Sequence, residues 1–288
     1  MKRPRIGFHA PIKGGVHNAL IVAKDTGCDT VQLFSRNPRG WMAKPLTLED
    51  VLLFRKIRKQ TKITPVLIHC NYLVNLAAAD GVFLQKSRES FREEVERALL
   101  LGVDYLVVHP GSSRGACETD GIALCAESLK IACKGLKFGP RESPKLRILL
   151  ENTAGQGDCI GHRFEHLALI MEACPKIPLG VCFDTAHAFT AGYDIREEDG
   201  LDALIQRMQK TVGIKNVRAI HFNDSRAIYN SRVDRHWHIG EGHIGAEALR
   251  RVARHPKLKH AAFILETPYD DPRADIKNLS MLRSFVTD

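Results

Sequence analysis

Eight short runs of β-favouring residues recur along the chain, and amphipathic stretches lie between them. The runs cover residues 5–9, 30–34, 65–69, 105–109, 147–151, 179–184, 217–221 and 262–266. Residues 87–101 carry Phe91, Val95, Ala98 and Leu99 at helical spacing, and residues 164–173 carry Leu167, Ile170 and Met171 in the same way. Strand then helix, repeated eight times, is the rhythm of a parallel sheet. Runs as apolar as YLVV, RILL and AFIL suit strands covered on their outer face, and eight such units suffice to close a ring. The expected fold is therefore an α/β TIM (β/α)8 barrel. At 288 residues the chain is long enough, since such barrels use roughly 250. No Ser/Gly-rich tract or composition break suggests a linker, so one barrel domain over 1–288 is expected. An open doubly wound sheet is the competing architecture, but no Gly-x-Gly-x-x-Gly follows the first run, and no nucleotide cofactor is expected.

Seven of the eight runs end in a residue able to bind a metal: His9, His69, His109, Glu151, Asp184, His221 and Glu266. In a TIM barrel the C-terminal strand ends surround one cavity, so these distant positions converge. Clustered carboxylates repel and buried imidazoles lose hydration, unless something positive compensates them. A metal cluster supplies that compensation. Two short motifs add donors beyond the strands: His187 follows Asp184 by three residues, and Asp234 and His236 stand two apart, on one side of an extended segment. Mixed imidazole and carboxylate donors suit zinc, with manganese as an alternative, whereas magnesium and calcium prefer almost pure oxygen. In a multi-metal site a carboxylate can bridge two ions about 3.5–4 Å apart and hold a hydroxide between them, which suits in-line attack on a phosphodiester.

The charge balance points the same way. Forty-two Lys and Arg against 33 Asp and Glu leave +9, which fits a polyanionic partner, although Arg55, Lys56, Arg58, Lys59 and Lys62 also read as the wet face of a helix. No stretch reaches the roughly 20 apolar residues of a membrane span, and the basic N-terminus leads into only a short apolar run, so neither a span nor a signal peptide is expected. Eight scattered cysteines without a Cys-x-x-Cys pair fit a reducing, cytoplasmic compartment, with Cys125 and Cys133 as core residues.

Several motifs resemble one family. They are Glu151-Asn152-Thr153-Ala154-Gly155-Gln156-Gly157, then Gly180-Val181-Cys182-Phe183-Asp184-Thr185-Ala186-His187-Ala188-Phe189 with Ala191-Gly192-Tyr193-Asp194, then Ser231-Arg232-Val233-Asp234-Arg235-His236 and Gly240-Glu241-Gly242-His243-Ile244-Gly245. In order and spacing they look like endonuclease IV, the zinc-dependent apurinic/apyrimidinic endonucleases. The resemblance implies a barrel with three zinc ions that cuts duplex DNA on the 5′ side of an abasic site and leaves a 3′-hydroxyl, as a step of base excision repair. It implies one zinc on His69, His109 and Glu151, a second on Glu151, Asp184, His221 and Glu266, and a third on His187, Asp234 and His236. Glu151 is then the bridging, catalytic carboxylate, and His9 is left over as a hydrogen-bonding neighbour.

The segments Asn37-Pro38-Arg39-Gly40-Trp41 and Asn71-Tyr72-Leu73-Val74-Asn75-Leu76 are similar to family loops that enter the minor groove, with Arg39, Tyr72 and Leu73 at the wedging positions. Packing of the barrel rim is the alternative for Trp41, Tyr72 and Leu73. The Gly240–Gly245 stretch reads either as a phosphate-binding entry to a helix or as a plain turn, and the Gly155-Gln156-Gly157 loop likewise as a close backbone approach or a turn. Two positions depart from the family: Ser113 stands where histidine is frequent, and Ala186 where cysteine is common. The expected form is a monomer. A metal-dependent sugar isomerase or epimerase is the competing enzyme, since related barrels use a set like Glu151, Asp184, His221 and Glu266. The remaining donors, the wedge loops and the charge favour a phosphodiester. A metal-stabilised DNA-binding protein without catalysis is a third reading, against which the complete donor sets argue.

Overall fold

A period-two alternation inside each short run decides which side chains face inward and which meet the helices. The computed structural model describes residues 3–139 and 146–287. Its strands are β1 (Arg5–Phe8), β2 (Val31–Phe34), β3 (Val66–His69), β4 (Tyr105–Val108), β5 (Arg147–Glu151), β6 (Leu179–Asp184) and β7 (Val217–His221), then a short ribbon of β8 (Asp224–Ser225) with β9 (His236–Trp237), and β10 (Ala262–Leu265). Eight of them form one parallel sheet in the order β1-β10-β7-β6-β5-β4-β3-β2. The two ends of that order meet. His9 bridges Gln32, the Ala10 amide donates to the Gln32 carbonyl at 2.8 Å, and the Asp29 amide donates to the Ile6 carbonyl at 2.8 Å. Gly7 permits this seam, because a Cβ there would stand 1.9 Å from the Thr30 carbonyl oxygen. The fold is the expected TIM barrel.

Outward residues such as Leu106, Ile148, Val181, Ile220 and Phe263 join the main core beneath the helices, whereas Leu67, Val107, Leu149, Cys182, Ala219 and Ile264 fill a separate inner layer. The helices are α1 (Asn18–Asp25), α2 (Leu48–Thr61), α3 (Gly81–Leu101), α4 (Glu118–Ala132), α5 (Phe164–Ala173), α6 (Thr185–Thr190), α7 (Glu198–Thr211), α8 (Ala246–Arg254) and α9 (Ala274–Val286). Local chemistry sets several of their starts. Thr47 and Asp50 form a capping box on α2, Asp80 accepts the Phe83 amide at 2.9 Å on α3, and Asp184 accepts the His187 amide at 2.7 Å on α6. Cys125 and Cys133 are buried in the core, as expected. The strands end before His109 and Glu266, so these two residues stand one position beyond their ladders, whereas His9 keeps a single bridge to Gln32. Among the described residues no helix is long and apolar enough to cross a membrane.

Candidate metal centre

Each inner-layer residue predicts a donor two positions on. Leu67, Val107, Leu149, Cys182, Ala219 and Ile264 lead to His69, His109, Glu151, Asp184, His221 and Glu266, and the same step leads from Gly7 to His9 and from Thr30 to Gln32. The donors therefore form the next layer of the barrel interior, at its C-terminal mouth.

Glu151 lies at the centre and is fully buried. Its Oε2 is 3.3 Å from His69 Nε2 and 3.1 Å from His109 Nε2, while its Oε1 is 2.9 Å from His221 Nδ1 and 3.3 Å from His187 Nδ1. His221 Nδ1 is also 3.1 Å from Glu266 Oε2. His187 Nε2 lies 3.2 Å from Asp234 Oδ1 and 3.3 Å from His236 Nε2. The structure thus brings together His69, His109 and Glu151, and also His187, Asp234 and His236. Asp184 Oδ2 is 3.4 Å from His236 Nε2, and His221 and Glu266 lie together with His69. Asp184 also caps α6 and accepts the Asn223 side-chain amide at 2.8 Å.

The far nitrogens of the imidazoles explain how the cluster is aimed. Backbone carbonyls lie 2.7 Å from His69 Nδ1 (Cys70), 2.9 Å from His187 Nδ1 (Asn152) and 3.2 Å from His236 Nδ1 (Glu266). A carbonyl only accepts, so each Nδ1 carries a proton and each Nε2 is the nitrogen turned toward the cluster. His221 is reversed. Its Nε2 donates to Gln32 Oε1 at 2.9 Å, which turns Nδ1 toward Glu151 and Glu266, and Gln32 Nε2 donates to Glu266 Oε1 at 2.5 Å. Gln32 Nε2 also donates to His9 Nδ1 at 3.0 Å, and His9 Nε2 is buried without a partner.

Burial opposes ionisation of Glu151, but His221, His109 and His187 overcome it and hold the carboxyl well below the usual range. Burial works against a charged His187 too, and Asp184 and Asp234 raise its pKa well above the ordinary value; Cys182, Glu151 and Glu266 do so for His221. Asp234 and Glu266 stay ionised in the same way, against burial, chiefly through His187 and His221 respectively. Burial, then Glu266 and Glu151, push the Tyr72 hydroxyl up to about 12. The centre is thus a set of negative charges balanced by imidazoles, an arrangement that divalent cations can replace.

Sequence reasoning missed Gln32, Asn152, Asn223, Cys182 and Asp224. Cys182 shares a group with Glu151 and His221, and burial pushes its thiol up to about 12. Gln32 was legible as the inner-face residue of its run, had register been used instead of the last residue. Asp224 settles the Gly-rich loop as a turn held from inside: it accepts the amides of Gly240, Gly242 and Gly245 on Oδ2 at 3.0–3.2 Å and of Ile244 on Oδ1 at 2.9 Å. A side chain at Gly242 would strike Asp224 and the Ser225 carbonyl.

The two expected wedge loops are tied to each other. The Tyr72 amide donates to the Pro38 carbonyl at 3.0 Å, Asn37 Oδ1 accepts the Arg39 amide at 3.0 Å, and Asn71 Oδ1 accepts the Leu73 amide at 3.0 Å. Beneath them the buried Glu94 accepts from Ser35 Oγ at 2.7 Å, Arg36 Nε at 2.9 Å and Asn71 Nδ2 at 3.3 Å. Tyr72 is 62% exposed with its ring beside Phe34 and His69, Leu73 is half-buried, and Arg39 is exposed. Tyr72 borders the ≈ 480 Å³ cavity over the donors, whereas Arg39 lies outside its lining. Ala186 is buried in α6, and Ser113 is buried with its hydroxyl donating to the Ala116 carbonyl at 2.9 Å.

Residues 20–285 match the family described as Xylose isomerase-like TIM barrel. The "Probable endonuclease 4" of Solibacter usitatus is 44% identical, covering 98% of this chain and 97% of its own length. The solved structure of endonuclease IV from Thermus thermophilus superposes with a TM-score of 0.86 at 41% identity over 98% of both chains. A D-tagatose 3-epimerase-like protein, with a TM-score of 0.70 at 18% identity and 98% of this chain covered, shares the fold.

Proposed function

The chain belongs to the endonuclease IV family, and on that premise we propose that it is a DNA-repair endonuclease that hydrolyses the phosphodiester bond 5′ to an abasic site in duplex DNA, leaving a 3′-hydroxyl, at a trinuclear zinc site. The observation that carries this reading is the convergence of five imidazoles and four carboxylates on one mouth: His69, His109, His187, His221 and His236 with Glu151, Asp184, Asp234 and Glu266. The donors fit zinc. Nitrogen and oxygen are mixed, and carbonyl or amide partners fix the imidazoles with a lone pair toward the cluster. Zinc, when bound, supplies the Lewis acidity that lets water ionise near neutral pH and offsets charge on a phosphate.

The chain's own residues divide the remaining work. Glu151, with one oxygen toward His69 and His109 and the other toward His221 and His187, holds two parts of the centre in register. Gln32, Asn223 and the backbone carbonyls fix donor orientation, so little reorganisation remains when substrate arrives. Tyr72, protonated across the neutral range and exposed beside the centre, enters the duplex with Leu73 and Arg39 and fills the space of a missing base. Insertion costs least where stacking is already broken, which selects the lesion.

The test is the chemistry of the nick. A labelled duplex with one abasic site is incubated with the protein, and the product is offered to a DNA polymerase. Extension from the nick shows the 3′-hydroxyl expected of 5′ incision; a product that cannot be extended until its 3′ end is trimmed contradicts the reading.

A further inference from the structure

Next to the donor cavity, and sharing His69, His109 and Tyr72 with it, lies a second cavity of ≈ 510 Å³. Three separate segments frame it: Trp41 from the loop after β2, Phe83 from the first turn of α3, and Arg114 from the loop after β4. Trp41 meets Phe83 edge to face with ring centroids 5.5 Å apart. The Arg114 guanidinium carbon lies 4.1 Å from the Phe83 centroid, and Lys86 Nζ lies 4.7 Å from the Trp41 centroid. Arg114 reaches this position from a left-handed backbone, φ 47°, a strained conformation for a side chain of its size. The lining residues include no Asp or Glu, whereas the donor cavity carries Asp234, Glu266 and Asp275. A cationic ligand would therefore favour the donor cavity. The second one offers flat aromatic surface with positive charge at its rim, in a volume within the roughly 300–1,000 Å³ range of small-ligand pockets.

We propose that this cavity is a base-binding subsite: it takes one nucleobase unstacked from DNA against the Phe83–Trp41 pair, with Arg114 and Lys86 facing the adjoining phosphates. The idea rests on the DNA substrate proposed above. Every base has a flat π-face that an aromatic ring can stack on, and cations beside the rings meet the backbone that comes with it. The location supports the assignment, because Tyr72 lines both cavities and Leu73 lines the second. A wedge that breaks stacking at the lesion leaves a neighbouring base half-unstacked, and that base needs the least energy to leave the helix.

The experiment measures binding to abasic duplexes whose scissile linkage cannot be hydrolysed. Each duplex lacks one further base, at successive positions flanking the lesion on either strand. Wild-type protein is expected to lose about 5–100-fold in affinity at one position when that base is missing, as for removal of one stacked base. Phe83→Ala removes this dependence, so that the duplexes with and without the base bind alike. Phe83→Leu, which keeps the apolar volume at the start of α3, does the same, and Phe83→Trp restores the dependence. A wild-type profile without any sensitive position overturns the subsite, as does an unchanged profile in Phe83→Ala. Equal weakening of all duplexes by Arg114→Ala, with no effect at Phe83, also overturns it and leaves a phosphate contact only. A single-stranded thymidine oligomer with one base deleted is measured in parallel. It scores the subsite by the same loss and rescue even when the abasic duplex is not preferred, a result that would contradict the proposed function instead.

Discussion

Glu151 is the residue on which the centre turns, since four imidazoles share its two oxygens. Glu151→Gln keeps the shape but supplies a neutral amide where two cations need a bridging anion. Incision is expected to fall at least about 100-fold while much of the affinity for abasic duplex survives, because the wedge loops are untouched. Kinetics and gel shift on one protein sample check this, and near-normal turnover removes Glu151 from the bridging role. Tyr72→Ala and Leu73→Ala test the other half of the proposed recognition. They are expected to reduce the ratio of abasic to intact affinity more than they reduce affinity for intact duplex, since phosphate contacts do not sense missing stacking. Titration of both duplexes decides, and an equal loss on both leaves these side chains as rim packing.

At the scale of elements, the loops depend on a buried ionic network behind them. Glu94 ties Ser35 and Arg36, at the end of β2, to Asn71 at the end of β3, and Arg36 reaches Glu93 at 2.7 Å as well. Glu94→Ala removes the buried partner of the Arg36 guanidinium and leaves it Glu93 and Ser90, a loss of one charge-assisted bond that costs about 1.5–3 kcal/mol. A fall of that size in the free energy of urea unfolding, with unchanged slope, is the expected outcome. A shift under about 1 kcal/mol places Arg36 on other partners. The start of α5 carries a pH dependence. The Gly161 amide donates to His166 Nδ1 at 3.1 Å, which leaves the proton on Nε2, 3.2 Å from Glu118 Oε2, and burial pushes the imidazole down to about 4 from 6.5. Between those values the unfolded chain binds the proton and the folded one does not. Stability is therefore full above pH 6.5 and declines as pH falls from about 6.5 to about 4. His166→Gln is expected to flatten that part of a denaturation series, and an unchanged slope assigns it to other groups.

For the whole molecule, alternating strands and helices made the barrel legible, because eight nearly apolar runs have few other ways to be covered on both faces. Donors at strand ends were legible for the same reason: closure carries every last inward residue to one mouth. What escaped depended on contacts made only in space. Gln32 carries no charge and is revealed by its bonds to His221 and Glu266, and Asp224 by four amides that lie 16–21 residues away. The bond between Asp184 and Asn223 is of the same kind, crossing from β6 to the segment after β7. The net charge of +9 belongs to this scale too. Affinity for DNA is expected to fall with salt at a log–log slope of about −0.9 per phosphate contact. Arg39→Ala separates two roles. Loss mainly on abasic DNA with an unchanged slope marks insertion at the lesion, whereas a slope flattened by about one on both duplexes marks a phosphate contact.

Incision at abasic sites by metal held on these strand-end donors is the proposed activity. It is tested most directly by stripping the protein with a chelator and adding zinc back in measured equivalents while scoring incision of a labelled abasic duplex. An inactive stripped protein, recovery that saturates at about three zinc ions per chain, and an uncut lesion-free duplex are expected. Full incision by metal-free protein, or recovery with magnesium alone, would contradict it.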